Sequence, residues 1–325
     1  MKVSSNFLKI SKKVLKFQEL GVGLALVILS LILGFTTENF FNLNNLIAIL
    51  RQSVFIGVMA LGMVFVLSSR DVDLSVGGIY NVSGIITAFF IFKGFPILVA
   101  VLAGLCAGIL CGLLNISLAL IFKIPTIIIT LGTMGIFKAF GLVICQSKQI
   151  YDFPKDSIFF TVIGTKIGPI PTGVIILILL TIVLSLVYGF TLFGNRVRGI
   201  GSNPEAARFS GINIAKYRVI VFMLMGALAA TAGILEVSFL QLSNPSMGSG
   251  TELMVIAAAI IGGTALSGGT GSILGALIGT LIIMVVRNGI VQLGVSPYWS
   301  SAVTGIVIIA AVAVDYLFRK GRNLI

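Results

Sequence analysis

Ten apolar blocks follow one another along the chain with short polar breaks between them, at about 20–35, 46–67, 74–92, 96–121, 126–145, 171–193, 217–240, 253–268, 272–291 and 298–318. Most approach the ~20 residues that an α-helix needs to cross about 30 Å of hydrocarbon, so the chain reads as an all-α polytopic membrane protein. A soluble globular fold is excluded, since 58% of the 325 residues are hydrophobic and only 10% are charged. The pattern predicts about ten transmembrane helices, with a broken or re-entrant stretch near 253–291 where a glycine cluster interrupts the apolar run.

The cations fix an orientation. Counted from a cytoplasmic N-terminus, most of the 22 lysines and arginines fall on the inside, while Lys93, Lys148, Lys155 and Lys166 fall outside. The positive-inside rule therefore predicts that both termini are cytoplasmic. The net charge of +12 follows from this bias, and no aromatic-rich basic domain points to nucleic acid. The expected organisation is a basic cytoplasmic tail (1–19), a single transmembrane domain (20–318) and a short cytoplasmic tail (319–325). The N-terminal lysines followed by an apolar run look like a secretory signal, but without a small-residue cleavage pattern they read as an uncleaved first span.

The longest interruption on the expected cytoplasmic side, 194–218, holds Arg196, Arg198, Arg208, Lys216 and Arg218 against Glu205. Each cation would cost about 2.5–3.5 kcal/mol at a bilayer centre, so the segment lies outside the membrane. Within it Asn203 is a good N-cap, Pro204 suits the first helical position, Glu205, Ala206, Ala207 and Arg208 continue a short helix, and Gly211 can end it. The polar 146–170 loop, with Pro154 and Pro169, faces outward as either a contact for an external partner or a solvated connector with an interfacial Phe159–Phe160 pair.

Three constellations could carry chemistry. Arg70, Asp71, Asp73 and Ser75 sit between two apolar spans; they are either a gate or pathway lining, or a turn in which Asp73 or Ser75 caps the next helix and Arg70 pairs with Asp71. The glycine-rich 261–272 segment has no lysine and so is no P-loop; its glycines, with Gly275 and Gly279, suit an interrupted, closely packed helix. Gly104, Gly108 and Gly112 form a similar run. Neutral polar residues within spans (Gln52, Asn81, Asn115, Thr130, Thr133, Asn288 and Gln292) suit either a pathway for a polyhydroxylated solute or interhelical hydrogen bonds. With no histidine, no CxxC among Cys106, Cys111 and Cys145, and no HExxH or GxSxG, neither a metal, a cofactor nor an intramembrane catalytic site is expected.

Taken in order, RDVDLSVGG at 70–78, KIPTIIITLGTMGIFKA at 123–139, GSNPEAARFSGINIAKYR at 201–218, IIGGTALSGGTGSILGALIGT at 260–280 and YWSSAVTGIVIIAAVAVD at 298–315 closely resemble permease subunits of ribose-type ABC importers. The resemblance covers nearly the whole chain, and NPEAARFSGI is its most specific element. It implies a homodimer or heterodimer of permeases, cytoplasmic ATPase subunits beneath it and an extracytoplasmic sugar-binding protein above. It also implies that Asn203, Pro204, Glu205, Ala206, Ala207, Arg208 and Gly211 form the helix that couples to the ATPase, in a bacterial cytoplasmic membrane. The alternative is an ion-coupled secondary transporter using Asp71, Asp73 and Glu236.

Overall fold

The computed structural model describes residues 2–296 except 155, 156 and 158, together with 299, 302, 305, 306 and 309; for residues 2–18 it describes the backbone alone. The tenth apolar block and the 319–325 tail therefore lie almost wholly outside the described residues.

The described chain is mostly helical. Its long helices are α1 (Lys2–Thr36), α2 (Leu43–Ser68), α4 (Ile97–Phe122), α5 (Thr126–Cys145), α6 (Thr172–Phe190), α9 (Ile214–Leu240) and α11 (Ile273–Gln292). The shorter ones are α3 (Val76–Phe92), α7 (Leu192–Ser202), α8 (Pro204–Phe209) and α10 (Thr251–Ile261), and one two-residue hairpin, β1 (Lys166–Ile167) with β2 (Ile170–Pro171), interrupts them. Among the described residues seven helices are long and apolar enough to cross a membrane, and α3 and α10 are shorter apolar helices. The expected break is present: α10 has 11 residues, and a non-helical stretch separates it from α11.

α2 and α9 form the centre, flanked by α3, α4, α10 and α11, while α1 lies at the edge against α11. Between helices in lipid there is little hydrophobic drive, so contact depends on backbones coming close. Gly108 of α4 and Gly226 of α9 achieve this: a Cβ on Gly108 would lie 2.5 Å from the Gly226 carbonyl, and one on Gly226 would lie 2.1 Å from that of Gly108. The run Gly104, Gly108 and Gly112 is thus a packing face, buried with Asn115, Ile116 and Ala119. Gly275 and Gly279 do the same for α11 against Gly262 and Ala258.

At the end of the bundle away from α8, the 146–170 loop folds onto the end of α9. Ile150 and Ser243 exchange backbone hydrogen bonds, and Ser238 Oγ donates to the Phe159 carbonyl at 2.6 Å. Phe159 and Phe160 are 2% and 1% exposed, which corrects the expectation of an interfacial pair: the single π-helical turn at Phe159–Ile163 points both rings inward, and Phe153 stacks on Phe160. Sequence alone gave no reason for a loop to own a small aromatic core.

Candidate functional site

Two features meet at one end of the bundle, an exposed helix and a buried polar segment beneath it. The helix α8 is built locally. Asn203 is its N-cap, with Oδ1 accepting from Ala206 N at 3.0 Å, and Pro204 follows where an amide proton would have no acceptor. At its other end Gly211 takes φ +75°, and the amides of Gly211 and Ile212 close onto the Arg208 and Ala207 carbonyls. Ala207 turns inward, whereas Glu205, Ala206, Arg208 and Phe209 face out, and Phe209 is 91% exposed. α8 thus holds one large apolar ring out on a capped, charged turn.

Residues 71–75 have no regular structure of their own, yet their polar members are buried, Asp71 to 6% and Asp73 and Ser75 to 0% exposure. Buried polar groups need partners, and three other helices supply them. Arg218, in the first turns of α9, grips Asp71 in a bidentate pair, Nε to Oδ2 at 2.8 Å and Nη2 to Oδ1 at 2.6 Å. From α5, Thr126 Oγ1 donates to Asp71 Oδ1 at 3.0 Å, and Thr130 Oγ1 accepts from Leu74 N at 3.1 Å. Asp73 Oδ1 accepts from Ser75 N and Ser75 Oγ, and Asn115 Nδ2 of α4 donates to Ser75 Oγ at 2.6 Å.

Two expectations for this segment are corrected. Asp71 pairs with Arg218 and not with Arg70, because Arg70 takes a left-handed φ of +67° and is exposed. Ser75 is the N-cap residue of α3 but makes no side-chain cap bond there; its hydroxyl is used by Asp73 and Asn115, and Asp73 bonds to Ser75 instead of capping further into α3.

The glycine-rich stretch completes the junction. Ser272 caps α11, and Ala265 N bonds the Thr270 carbonyl to close a turn whose Gly269 N donates to the Ser68 carbonyl at 3.0 Å. Gly201 at the end of α7 lies against both Ser68 and Gly269. The glycines therefore seat α7 on the end of α2.

The other candidate pathway residues are elsewhere. Asn81 is buried in α3 and donates through Nδ2 to the Pro245 and Met247 carbonyls. Asn288 exchanges amide hydrogen bonds with Asn45 at the far end of the bundle, joined by Gln292. Gln52 is exposed on α2, and Thr133 is buried on α5. Glu236 lies 18 residues beyond Arg218 on α9, about 27 Å along a helix, so it does not gather with Asp71 and Asp73. Among the described residues no group of three or more metal-ligating side chains occurs.

Sequence reading missed Arg218 and Thr126 as members of this lattice. Thr126, Thr130 and Thr133 on one helix were the available signal; Arg218 was hidden among the loop cations.

A family model described as branched-chain amino acid transport system / permease component matches residues 45–312. The chain is 36% identical to the ribose import permease of Escherichia coli K12, over 90% of this chain and 92% of that protein. It is 36% identical to the ribose import permease of Bacillus subtilis 168, over 92% of each, and 35% identical to the D-allose transport system permease of Escherichia coli K12, over 90% of each. A solved structure of a metal-chelate type ABC transporter in an inward-facing conformation aligns with TM-score 0.53 and 18% identity, covering 94% of this chain and 99% of that one, a likeness of fold.

Proposed function

The chain belongs to the branched-chain amino acid transport system / permease component family, and from that membership we propose that it is the membrane-spanning subunit of an ABC importer that carries a monosaccharide. The observation that carries the reading is full-length similarity to ribose and allose permeases at 35–36% identity. The chain supplies the path, and a separate ATPase supplies the energy. In this reading two permease subunits sit side by side in a bacterial cytoplasmic membrane, with the ATPase below and an extracytoplasmic sugar-binding protein above. The cation count puts the α8 end in the cytoplasm.

Coupling follows from the junction. Asn203, Pro204, Glu205, Ala206, Ala207, Arg208 and Gly211 form the helix that docks on the ATPase, with Phe209 as its apolar anchor. A push on α8 is passed to α7, which rests on Ser68 and the Gly269 turn, and to α9, whose Arg218 is bolted to Asp71. The 70–75 segment thus moves with α8, and rigid tilting of the helices alternates access. Asp71, Asp73, Ser75 and Asn115 act in this role as a joint, and Asn81 and Asn288 as ties between elements.

The test is reconstitution of the permease with its ATPase and binding protein in proteoliposomes. The expected outcome is uptake of labelled sugar that needs ATP. Uptake that follows an ion gradient without the ATPase would sink the reading in favour of ion coupling.

A further inference from the structure

At the end of the bundle away from α8, two open cavities of about 470 and 300 Å³ lie on either side of the short segment 150–153, and Tyr151 and Asp152 line both. The larger has the size of a small-molecule site, about 300–1,000 Å³. The segment that divides them is anchored at each end. Ile150 and Ser243 exchange backbone hydrogen bonds at 3.0 and 2.8 Å, and Phe153 is buried and stacked on Phe160. Tyr151 and Asp152 are exposed between these anchors, so they stand as a fixed partition.

The walls of the larger cavity divide by chemistry. Phe89 and Phe92, in the last turn of α3, supply aromatic rings. Gln146 and Gln149 supply amides that donate and accept, Tyr151 a hydroxyl that does both, Asp152 a carboxylate that accepts, and Lys93 and Lys148 ammonium groups that donate. All six of these polar side chains are exposed, so the cavity opens to the surface. Its backbone is also unusual. Gln146 and Asp152, with Gln241 of the smaller cavity, take left-handed φ of +52°, +71° and +54°. Half of the six non-glycine residues in this region, among the described residues, thus line these two cavities, and such conformations persist where the surroundings fix them, often at ligand sites.

The mixture decides the ligand class. An anionic guest is served by donors alone, and the Asp152 carboxylate would repel it. One of the two cations is already engaged, since the Lys93 ammonium lies 5.5 Å from the Phe89 ring centroid. A neutral polyol presents hydroxyls that donate and accept beside apolar C–H edges, and amides, hydroxyl, carboxylate and rings on one wall answer both. We propose that this cavity is a reception site for a monosaccharide at the outer mouth of the permease, with the sugar's ring edge against Phe92 and its hydroxyls shared among Lys148, Gln149, Tyr151 and Asp152. This rests on the sugar-importer reading and on the cation count that puts this end outside; it locates where the solute first meets the chain.

The experiment uses the assembled importer, permease with ATPase and binding protein, in proteoliposomes. It measures ATP-driven uptake of a panel of pentoses and hexoses differing in hydroxyl configuration, and in parallel the affinity of the binding protein for the complex. For Gln149→Ala, Tyr151→Phe and Asp152→Asn, uptake is expected to fall about tenfold, the scale of one lost polar contact, with the ranking of sugars altered and assembly and binding-protein affinity unchanged. Asp152→Asn isolates the carboxylate, because asparagine tolerates the same left-handed backbone. Binding-protein affinity falling in step with uptake would overturn the site, because a surface that only docks the partner behaves that way. A second readout needs no uptake. In the complex without ATP or binding protein, Gln149→Cys is expected to react with a membrane-impermeant maleimide, and the transported sugar is expected to slow that reaction severalfold. Uptake falling with ranking unchanged, or a modification rate that sugar leaves unaltered, would overturn the site too. If the wild-type importer moves no sugar under ATP, the underlying reading fails, and that result is separable because it requires no variant.

Discussion

The helix α8 and the 70–75 segment lie at the same end of the molecule and are made in opposite ways. α8 is exposed and carries its own instructions: Asn203 caps it, Pro204 begins it and Gly211 ends it, all within nine residues. The 71–75 segment is largely buried and has no regular secondary structure; Arg218, Thr126, Thr130 and Asn115 hold it from three other helices. A part shaped by its sequence neighbours keeps its form alone, and a part without regular structure takes its form from bonds to several helices.

Breaking the buried side should have the largest effect. Asp71→Asn leaves Arg218 without its counter-charge in a site only 23% exposed on the arginine side, and loss of one partner of a buried pair costs about 3–5 kcal/mol. Thermal unfolding of the purified permease should show a clear loss of stability, and unchanged stability would mean that the segment is held without the ion pair. Exchanging the two residues, Asp71→Arg with Arg218→Asp, sharpens the point if it recovers part of the loss.

On the exposed side a local change should stay local. Asn203→Ala removes the cap bond to Ala206 and should cost about 1 kcal/mol, confined to α8 and read as faster amide hydrogen exchange there with the 70–75 amides unchanged. If exchange in the 70–75 segment rises equally, the two regions are one cooperative unit.

The smallest effect on the fold is expected from Phe209→Ser, Glu205→Gln and Arg208→Gln. These side chains face outward, so stability should move by no more than about 0.5 kcal/mol. Co-purification with the ATPase subunit should nonetheless be lost or weakened; an intact complex at wild-type yield would remove α8 from the docking surface.

Legibility followed the same division. The break near 253–291 could be read from its glycines, and α8 from its caps, because both are encoded by neighbours in sequence. Length and hydropathy gave the spanning helices but overran α10, since apolarity continues to 268 while the helix stops at Ile261, where Gly262 and Gly263 let the chain turn. The Arg70–Asp71 pairing was the natural local choice and was wrong. Arg218 lies 147 residues away, and only folding brings it near. The scattered amides were open to two readings, pathway lining or interhelical hydrogen bonds, and in the structure Asn81 bonds to the 245 and 247 carbonyls and Asn288 to Asn45.

What the sequence determined by itself is the membrane class and the short capped helix α8. Those rest on transfer free energies and on hydrogen bonds between residues a few positions apart, which each stretch of chain decides for itself. What only the tertiary structure decided is where the buried charges go: Asp71 to Arg218, and Glu252 toward Lys138. A buried charge must find its partner wherever the packed helices bring one, and that proximity is a property of the whole bundle.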